Sequence, residues 1–282
     1  MSAHGFVPNV KASEPEVGHK PVISIVTVCL NAAGTIRDAM ESVVAQDYPD
    51  IEHIVIDGGS TDGTLEVLRD FVPRIARLVS EKDGGLYDAM NKGATLCTGE
   101  VIGFLNADDF YASAHVISSV MGRFNDQSLG ACYGDLEYVD KDDTQRTVRC
   151  WKSGQFVNGS FAKGWVPPHP SFFVRLEVFR QAGGFNTLLK LAADNDLMMR
   201  LLECSGVKTC YLPEVLVKMR TGGATNKSFG SIWRQNLEIL GALRANGLPT
   251  NLISYAFHKG ISRAKHFIHA SDVSRRRKAY AA

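Results

Sequence analysis

An apolar run ends in two adjacent carboxylates in the stretch VIGFLNADD, residues Val101–Asp109. The run Val101–Leu105 predicts a buried strand, and Asn106–Asp109 predicts a polar loop directly after it. Adjacent carboxylates repel each other unless they are solvated or bridged by a cation. Mg²⁺ and Mn²⁺ prefer oxygen ligands, usually one or two carboxylates together with substrate phosphates. The stretch therefore indicates a cation and a phosphate at a strand end, where the purely structural alternative is an exposed turn or a helix cap.

Strands alternate with helices on the amino-terminal side of this stretch, which predicts an α/β fold with a mostly parallel sheet and helices on both faces. The predicted strands are Val22–Val28, Ile51–Ile56, Ile75–Val79 and Val101–Leu105, and the helices between them are Thr35–Gln46, Thr64–Phe71 and Leu86–Leu96. Ligands bind at the carboxyl ends of the strands in such sheets. We therefore expect three polar loops to share one rim, namely Asn31–Gly34, Asp57–Gly63 and Asn106–Asp109.

The pattern changes after Asp109. Further strands are predicted at Cys132–Val139, Thr147–Trp151 and Ser171–Val174, and further helices at Leu197–Cys204, Phe229–Ala245 and Leu252–Ala270. From Asn251 onward the chain has seven Lys/Arg residues and one acidic residue. Two interpretations of this C-terminal helical extension stay open: packing on the main domain or on a second subunit, and binding of its basic end to an anionic lipid surface.

The composition is that of an ordinary globular protein, with 45% hydrophobic and 22% charged residues among 282. The formal net charge of +1 gives no reason to expect nucleic acid as a partner. No stretch approaches the ~20 apolar residues that cross a bilayer. Residues 1–20 lack the apolar core of a signal peptide and predict a flexible leader, and six scattered cysteines fit a reducing compartment. These features predict a cytoplasmic protein that is soluble or peripheral at the inner face of the membrane.

A second candidate site is the loop that begins at Asp57. A carboxylate after a buried strand, followed by three glycines in six residues, is typical of a place where backbone approaches a ligand closely. The structural alternative is a helix start, with Ser60 or Thr61 as the cap and Asp62 near the positive helix end. No GxGxxG turn follows the first strand, which argues against a dinucleotide-binding fold.

Three polar or aromatic positions in the second half of the chain are further candidates. Asp194 stands in the segment AADNDL, either as a helix cap or as a general base that removes a proton from an attacking hydroxyl. His169 lies in a proline-rich turn that could hold it in a site. Trp165 could stack on a sugar face, although core packing is the alternative for a single tryptophan.

These residues, in this order, resemble the inverting glycosyltransferases of family 2, which have the GT-A fold. The resemblance covers about Pro21–Arg220. SIVTVCLN, residues Ser24–Asn31, looks like the strand that cradles the nucleotide, which implies donor contacts at Thr27 and Asn31. IDGGSTDGT, residues 56–64, looks like the base-binding loop, in which Asp57 contacts the base.

The segment EKDGGLYDAMNKG, residues 81–93, resembles the one before the metal strand, especially in the subgroup that builds exopolysaccharide, colanic-acid-type and cell-wall glycolipid glycans. It implies donor contacts at Asp83, Asn91 and Lys92. NADD stands where the family has its DxD-type motif. The resemblance therefore implies that Asp109 binds the metal and that Asp108 faces ribose or diphosphate.

HPSFF, residues 169–173, is similar to the acceptor-side segment that begins with histidine. ADNDL, residues 193–197, looks like the Glu-Asp-x-Asp-Leu motif, in which the first aspartate is the catalytic base. This resemblance implies that Asp194 is the base. Because Ala193 replaces the usual glutamate, Asp196 is the alternative.

The resemblance implies a GT-A domain over residues 21–222, with a nucleotide-binding half at 21–110 and an acceptor half at 111–222, followed by helices and a basic tail at 223–282. It implies direct displacement by a glycan or lipid-linked hydroxyl on a nucleotide-diphosphate sugar, which family frequency suggests is a UDP-sugar, with Mg²⁺ or Mn²⁺ as cofactor. Two other classes are a nucleotidyltransferase, which would need a glycine-rich basic loop that Cys29–Gly34 lacks, and a non-catalytic sugar-nucleotide-binding protein. Retention of both Asp109 and Asp194 argues against the latter.

Overall fold

The computed structural model describes residues 22–222 and 229–249, together with Tyr255. Within this part of the chain nine strands form one mixed sheet: β1 Ile23–Cys29, β2 Ile51–Asp57, β3 Arg77–Ser80, β4 Val101–Asn106, β5 Asp109–Tyr111, β6 Ala131–Val139, β7 Thr147–Trp151, β8 Phe172–Arg175 and β9 Thr209–Arg220. The α-helices are α1 Ile36–Val44, α2 Thr64–Arg69, α3 Leu86–Leu96, α4 Val116–Arg123, α5 Leu176–Gln181, α6 Ala193–Met199 and α7 Phe229–Ala245. Short 3₁₀ turns occur at Val72–Arg74, Phe161–Lys163 and His169–Ser171, and a π-helical turn at Arg200–Cys204 extends α6.

The strand order is β3-β2-β1-β4-β8-β6-β9-β5, and β7 pairs with β6. β1 runs parallel to both β2 and β4, and β2 runs parallel to β3. The carboxyl ends of these four strands therefore lie side by side, with Asp57 opposite Cys29 and Ser80, and with Asn106 opposite Val28. The three polar loops share one rim, as the sequence predicts.

The second half of the chain extends the same sheet. β8 pairs antiparallel with both β4 and β6, and β9 runs parallel to β6. β5 follows β4 after a two-residue turn at Ala107–Asp108 but pairs with β9, at Asp109–Tyr111 against Val217–Met219. The acidic loop is therefore fixed at both ends by the sheet.

Alternating side chains of the buried strands divide the core between the two faces of the sheet. Val26, Ile54 and Phe104 pack on one face with residues of α3, α5, α6 and α7. Ile25 and Leu105 pack on the other face with residues of α1 and α4. Strands buried on both faces give continuous apolar runs, which explains why their sequences predict them well.

Most predicted elements are confirmed within a few residues, and two need correction. The strand predicted at Ile75–Val79 begins later, because Val72–Arg74 forms a 3₁₀ turn before β3. The helix predicted at Leu197–Cys204 begins at Ala193 and ends in the π turn. The sequence analysis missed β5, β9, α4 and α5. β9 is hard to predict because Pro213 interrupts it, in an irregularity where Leu212 pairs with Gly134 and Val215 with the next residue of β6.

α7 confirms the helix predicted at Phe229–Ala245. The leader at residues 1–20 and the basic tail lie outside the described residues, as does the helix predicted at Leu252–Ala270 apart from Tyr255. Among the described residues no helix has the length and apolarity that a membrane span requires.

Candidate active site

Asp57 organises the loop after β2. Its carboxylate is fully buried and accepts hydrogen bonds from the Ser60 main-chain N–H (3.0 Å), the Ser60 hydroxyl (2.5 Å) and the Ser80 hydroxyl (2.6 Å). Burial raises the pKa of Asp57, but the hydrogen bonds from Ser60 and Ser80 outweigh this effect and hold the pKa below its usual value. The ionised carboxylate therefore anchors the loop and places β3 beside it.

Asn31 ties the loop after β1 to the loop after β2. It is exposed and has a left-handed backbone, with φ of 50°. Its side-chain oxygen accepts a hydrogen bond from the Thr61 main-chain N–H at 2.9 Å, and its own N–H donates to the Ser60 hydroxyl at 2.8 Å. The expected donor contact at Asn31 is compatible with this exposed position.

Thr27 requires a correction. Its side chain is fully buried in β1, and its hydroxyl lies 2.9 Å from His53 Nε2. Because a donor contact would need an accessible hydroxyl, Thr27 supports the sheet beneath the rim and does not line the site.

Asp83 lies beside the loop after β2. Its Oδ1 accepts a hydrogen bond from the Gly85 main-chain N–H at 2.8 Å. A β-carbon added at Gly58 would stand 2.6 Å from Asp83 Oδ2, so this carboxylate rests directly against the loop that Asp57 organises. The structure thus brings Asp57, Gly58 and Asp83 together, although 25 residues separate Gly58 from Asp83 along the chain.

Asn91 and Lys92, both expected donor contacts, interact with the protein's own groups in this structure. The Asn91 amide donates to the Phe185 carbonyl (2.8 Å) and accepts from the Phe185 N–H (2.9 Å), so both of its groups are engaged. The Lys92 ammonium lies 3.0 Å from Glu81 and 3.6 Å from Asp88, and its side chain is 32% exposed. Ion pairs between exposed groups are weak, so a donor contact at Lys92 stays a prediction.

The acidic loop contains one half-buried and one fully buried carboxylate. Asp108 is partly accessible, whereas Asp109 is 1% exposed. Asp109 Oδ2 accepts a hydrogen bond from Asn106 Nδ2 at 3.2 Å, and no described residue donates to Asp109 Oδ1. Burial, and secondarily the neighbouring Asp108, raise the pKa of Asp109 well above its usual value. The charged form of Asp109 is therefore disfavoured unless a cation compensates it.

Arg220 holds the acidic loop in place through three contacts. Its guanidinium donates to the Asp108 carbonyl at 2.8 Å, pairs with Asp38 of α1, and stacks on the Phe110 ring at 5.1 Å. The residue lies at the end of β9, so the strand that sequence analysis missed contributes a residue that fixes the acidic turn.

The residues of this loop fit a shared cation better than a closed metal site. Within the described ranges no group of three or more His, Cys, Asp or Glu side chains could hold a metal. The buried oxygens Asn106 Oδ1 and Asp109 Oδ1 both lack a hydrogen-bond donor among the described residues. Two such oxygens are a partial ligand set for a hard cation, which would take its remaining ligands from a diphosphate and water.

Asp194 lies in the first turn of α6, where it is half-buried. Its Oδ1 accepts hydrogen bonds from the Tyr87 hydroxyl (2.9 Å) and from Asn195 Nδ2 (3.1 Å). Burial lowers the pKa of His169, and the nearby Asp194 carboxylate partly opposes this shift. The His169 ring packs against Phe104 at 5.7 Å, and no described residue bonds to its enclosed Nε2. Asp194 and His169 thus form one polar cluster.

Asp196 is corrected from alternative base to structural residue. It is 5% exposed, and its two oxygens accept hydrogen bonds from Arg200 Nε at 2.9 Å and Asn246 Nδ2 at 3.1 Å. Arg200 in turn donates to the carbonyls of Ala182 and Gly184. This network joins α6 to α7 and leaves Asp196 no free oxygen for an acceptor.

Trp165 also proves structural. Its ring packs against the rings of Tyr133, Phe156 and Phe161 at 5.4–5.9 Å, and its indole N–H donates to the Ser153 carbonyl at 2.7 Å. The expectation that it stacks on a sugar is therefore replaced by the core-packing alternative.

Sequence analysis did not single out Tyr87, Ser80 or Arg220. Each contacts a candidate residue that is distant in the chain: Tyr87 contacts Asp194, Ser80 contacts Asp57, and Arg220 contacts the acidic loop. Tyr87 lies within a motif that the sequence does display, but nothing in that motif specifies its partner.

Known proteins similar to this chain identify its family. The family described as Glycosyl transferase family 2 matches residues 24–181, more than half of the chain. The chain belongs to glycosyl transferase family 2. The "PGL/p-HBAD biosynthesis glycosyltransferase" of Mycobacterium bovis is 30% identical over 210 residues, which cover 73% of this chain and 80% of that protein. The chain is therefore a glycosyltransferase, as the resemblance implied.

Solved structures of other glycosyltransferases share the fold. S. aureus TarS 1–349 in complex with UDP-GlcNAc superimposes with a TM-score of 0.63 at 17% identity, over 88% of this chain and 72% of that fragment. The mannosyltransferase PcManGT of Pyrobaculum calidifontis, in complex with GDP-Man and Mn²⁺, has a TM-score of 0.58 at 21% identity, over 95% of this chain and 73% of that one. The fold of this family 2 glycosyltransferase is GT-A.

Proposed function

We propose that this glycosyltransferase moves a sugar from a metal-bound nucleotide diphosphate to a hydroxyl of a glycan or lipid-linked acceptor, with inversion at the anomeric carbon. The observation that carries the proposal is the under-coordinated carboxylate of Asp109 on the rim shared with Asp57 and Asp83. The charged form of a buried carboxylate is costly when one oxygen has no hydrogen-bond donor among the described residues, unless a cation compensates it. A nucleotide diphosphate with its cation supplies the missing partner.

The donor nucleotide is assigned to the pocket formed by Asn31, Gly58 and Asp83, and the buried Asp57 carboxylate supports this pocket through its hydrogen bonds with Ser60 and Ser80. The missing side chain at Gly58 leaves the Asp83 carboxylate at the loop surface, where a planar base can lie against backbone. TarS is described in complex with UDP-GlcNAc and PcManGT in complex with GDP-Man. We favour a UDP-sugar on family frequency, and GDP-sugars are the competing donors to test.

The metal is assigned to Asp109, with Asp108 toward the ribose or diphosphate. PcManGT, a fold neighbour, is described in complex with Mn²⁺, which supports a divalent cation as cofactor. When bound, Mg²⁺ or Mn²⁺ offsets the charge that develops on the leaving diphosphate. Arg220 and Asn106 hold the turn so that Asp108 and Asp109 keep their places relative to the donor pocket.

Asp194 is the proposed base. Its Oδ1 is occupied by Tyr87 and Asn195, so Oδ2 would accept the proton of the acceptor hydroxyl as that oxygen attacks the anomeric carbon. His169 lies beside it and would line the acceptor side. The Mycobacterium bovis relative is named for PGL/p-HBAD biosynthesis, which supports a glycolipid or polysaccharide acceptor. A peripheral cytoplasmic membrane location would suit a lipid-linked acceptor.

A panel of UDP-, GDP- and dTDP-sugars tests the proposal through release of nucleoside diphosphate with and without acceptors. We expect one nucleotide to support release only when Mg²⁺ or Mn²⁺ is present. Asp109→Ala should abolish metal-dependent donor binding, whereas Asp194→Asn should keep donor binding and lose transfer. Binding without release for every donor would indicate a non-catalytic protein. Formation of pyrophosphate from a nucleoside triphosphate and a sugar phosphate would indicate a nucleotidyltransferase.

A further inference from the structure

Tyr87 links the donor side of the site to the proposed base. It is the second residue of α3, four positions after Asp83. Gly84, Gly85 and Leu86 lie between them, and Gly85 has φ of 118°. Its ring is buried and packs against Phe185 at 5.5 Å, and its hydroxyl reaches Asp194 Oδ1 at 2.9 Å. One short segment therefore carries both a candidate donor ligand and a group that touches the base.

The hydrogen bonds to Asp194 are unequally distributed between its two oxygens. Tyr87 and Asn195 both donate to Oδ1, at 2.9 and 3.1 Å, and none of the described residues donates to Oδ2. Two donors on one oxygen fix the rotation of the carboxylate about its Cβ–Cγ bond. The direction of Oδ2 is thereby fixed as well.

We propose that Tyr87 is a positioning residue, which orients Asp194 so that Oδ2 faces the acceptor hydroxyl. This inference rests on the proposed function of Asp194 as the base. The phenol acts as a donor throughout the working pH range, because burial and the adjacent Asp194 raise the pKa of Tyr87 above its usual value. A purely structural tyrosine would need only its ring, which phenylalanine would supply.

Other charged groups around the pair come from neighbouring elements. His169, in the 3₁₀ turn before β8, interacts electrostatically with Asp194, and Glu238 of α7 interacts electrostatically with Tyr87. Glu238 is bound to the Leu191 N–H at 2.8 Å, which fixes its position. Neither group reaches Asp194 with a described hydrogen bond, so Tyr87 and Asn195 set the orientation of the carboxylate.

Tyr87→Phe tests the proposal because it keeps the ring and removes only the hydroxyl. A hydrogen bond to a charged group is worth about 1.5–3 kcal/mol, so we expect kcat to fall roughly 10- to 100-fold while the donor KM stays within about twofold of wild type. Tyr211→Phe is the matched control, since its hydroxyl donates to Asp135 at 2.8 Å, and it should keep the wild-type kcat.

A measurement without turnover separates this inference from the proposed function. With ¹³C-labelled aspartate, the Asp194 carboxyl signal can be assigned from its absence in Asp194→Asn, and its chemical shift should differ from wild type in Tyr87→Phe but not in Tyr211→Phe. An active wild type whose Asp194 chemical shift and kcat are unchanged in Tyr87→Phe would overturn the role of Tyr87 alone. A wild type that transfers no sugar from any donor of the panel would overturn the proposed function.

Discussion

Alanine substitutions at Asp194 and Asp196 should separate a catalytic carboxylate from a structural one. The two residues lie two positions apart in α6, and the sequence alone leaves either as the base. Asp194 is half-buried and has one oxygen without a donor among the described residues, whereas Asp196 is 5% exposed with both oxygens bound. We expect Asp196→Ala to destabilise the fold and Asp194→Ala to remove turnover.

The cost of Asp196→Ala follows from what it leaves unpaired. The Arg200 side chain is 23% exposed and loses its carboxylate partner, while Asn246 loses a hydrogen-bond acceptor. Breaking a fully buried ion pair costs about 3–5 kcal/mol. Partial exposure of Arg200 and its two remaining carbonyl partners reduce this, so we expect about 2–3 kcal/mol. For a domain of this size such a loss lowers the melting temperature by roughly 5–10 °C.

The effect of Asp194→Ala falls on a different quantity. Its loss removes the hydrogen bonds from Tyr87 and Asn195, for which we expect about 1 kcal/mol of stability. Loss of general-base assistance should lower kcat roughly 10²- to 10⁴-fold. Binding of the donor nucleotide should stay near the wild-type value, because Asp57 and Asp83 are untouched.

Three measurements on both variants decide the assignment: thermal unfolding, titration calorimetry with the donor nucleotide, and transfer measured well below the melting temperature. Asp196→Asn serves as a control that keeps the size of the side chain and one acceptor oxygen. The reasoning would be refuted if Asp196→Ala unfolded like wild type but transferred no sugar, or if Asp194→Ala retained near-wild-type transfer.

Further expectations concern the donor loop, the core and the metal. Gly58→Ala should displace Asp83, because the new β-carbon would meet its Oδ2 at 2.6 Å. Calorimetry should show weaker nucleotide binding with little change in melting temperature. Nucleotide binding equal to that of wild type would contradict the pocket assignment. Gly103→Ala should cost about 1–3 kcal/mol by overpacking, since its β-carbon would stand 2.6 Å from the Phe173 ring; urea unfolding measures this, and unchanged stability would refute it. Removal of divalent cations by a chelator should abolish the release of nucleoside diphosphate from the donor, and Mn²⁺ or Mg²⁺ should restore it. Release of nucleoside diphosphate that persists in the chelator would exclude a metal-dependent mechanism.

Local patterns in the sequence were sufficient for the nucleotide-binding sheet. β-branched runs followed by polar loops identify parallel strands buried on both faces, and parallel strands bring their carboxyl ends to one edge. The common rim of the loops after β1, β2 and β4 follows from this regularity. Elements without such an apolar run were missed. The main example is β9, in which Pro213 disrupts the pairing with β6.

Individual side-chain roles were harder to predict because they depend on direction and on distant partners. Thr27 lies in a motif that resembles the nucleotide strand, but its hydroxyl faces His53 inside the sheet. Asn91 and Lys92 lie in an equally informative motif, yet both are bound to the protein's own groups. A motif fixes which residues are present, whereas the neighbouring elements decide which of them remain accessible.

The two adjacent carboxylates that end β4 illustrate the division. The sequence by itself determined that an acidic loop follows a buried strand on a rim shared with Asp57, because strand periodicity and loop composition are local properties. Only the tertiary structure decided that Asp109 is buried with one oxygen that no described residue bonds, and that Tyr87 contacts Asp194 across 107 residues of chain. Helix geometry gives the reason for the second aspartate pair: at 3.6 residues per turn, positions two apart point to nearly opposite sides, so Asp194 meets Tyr87 while Asp196 meets Arg200 and Asn246.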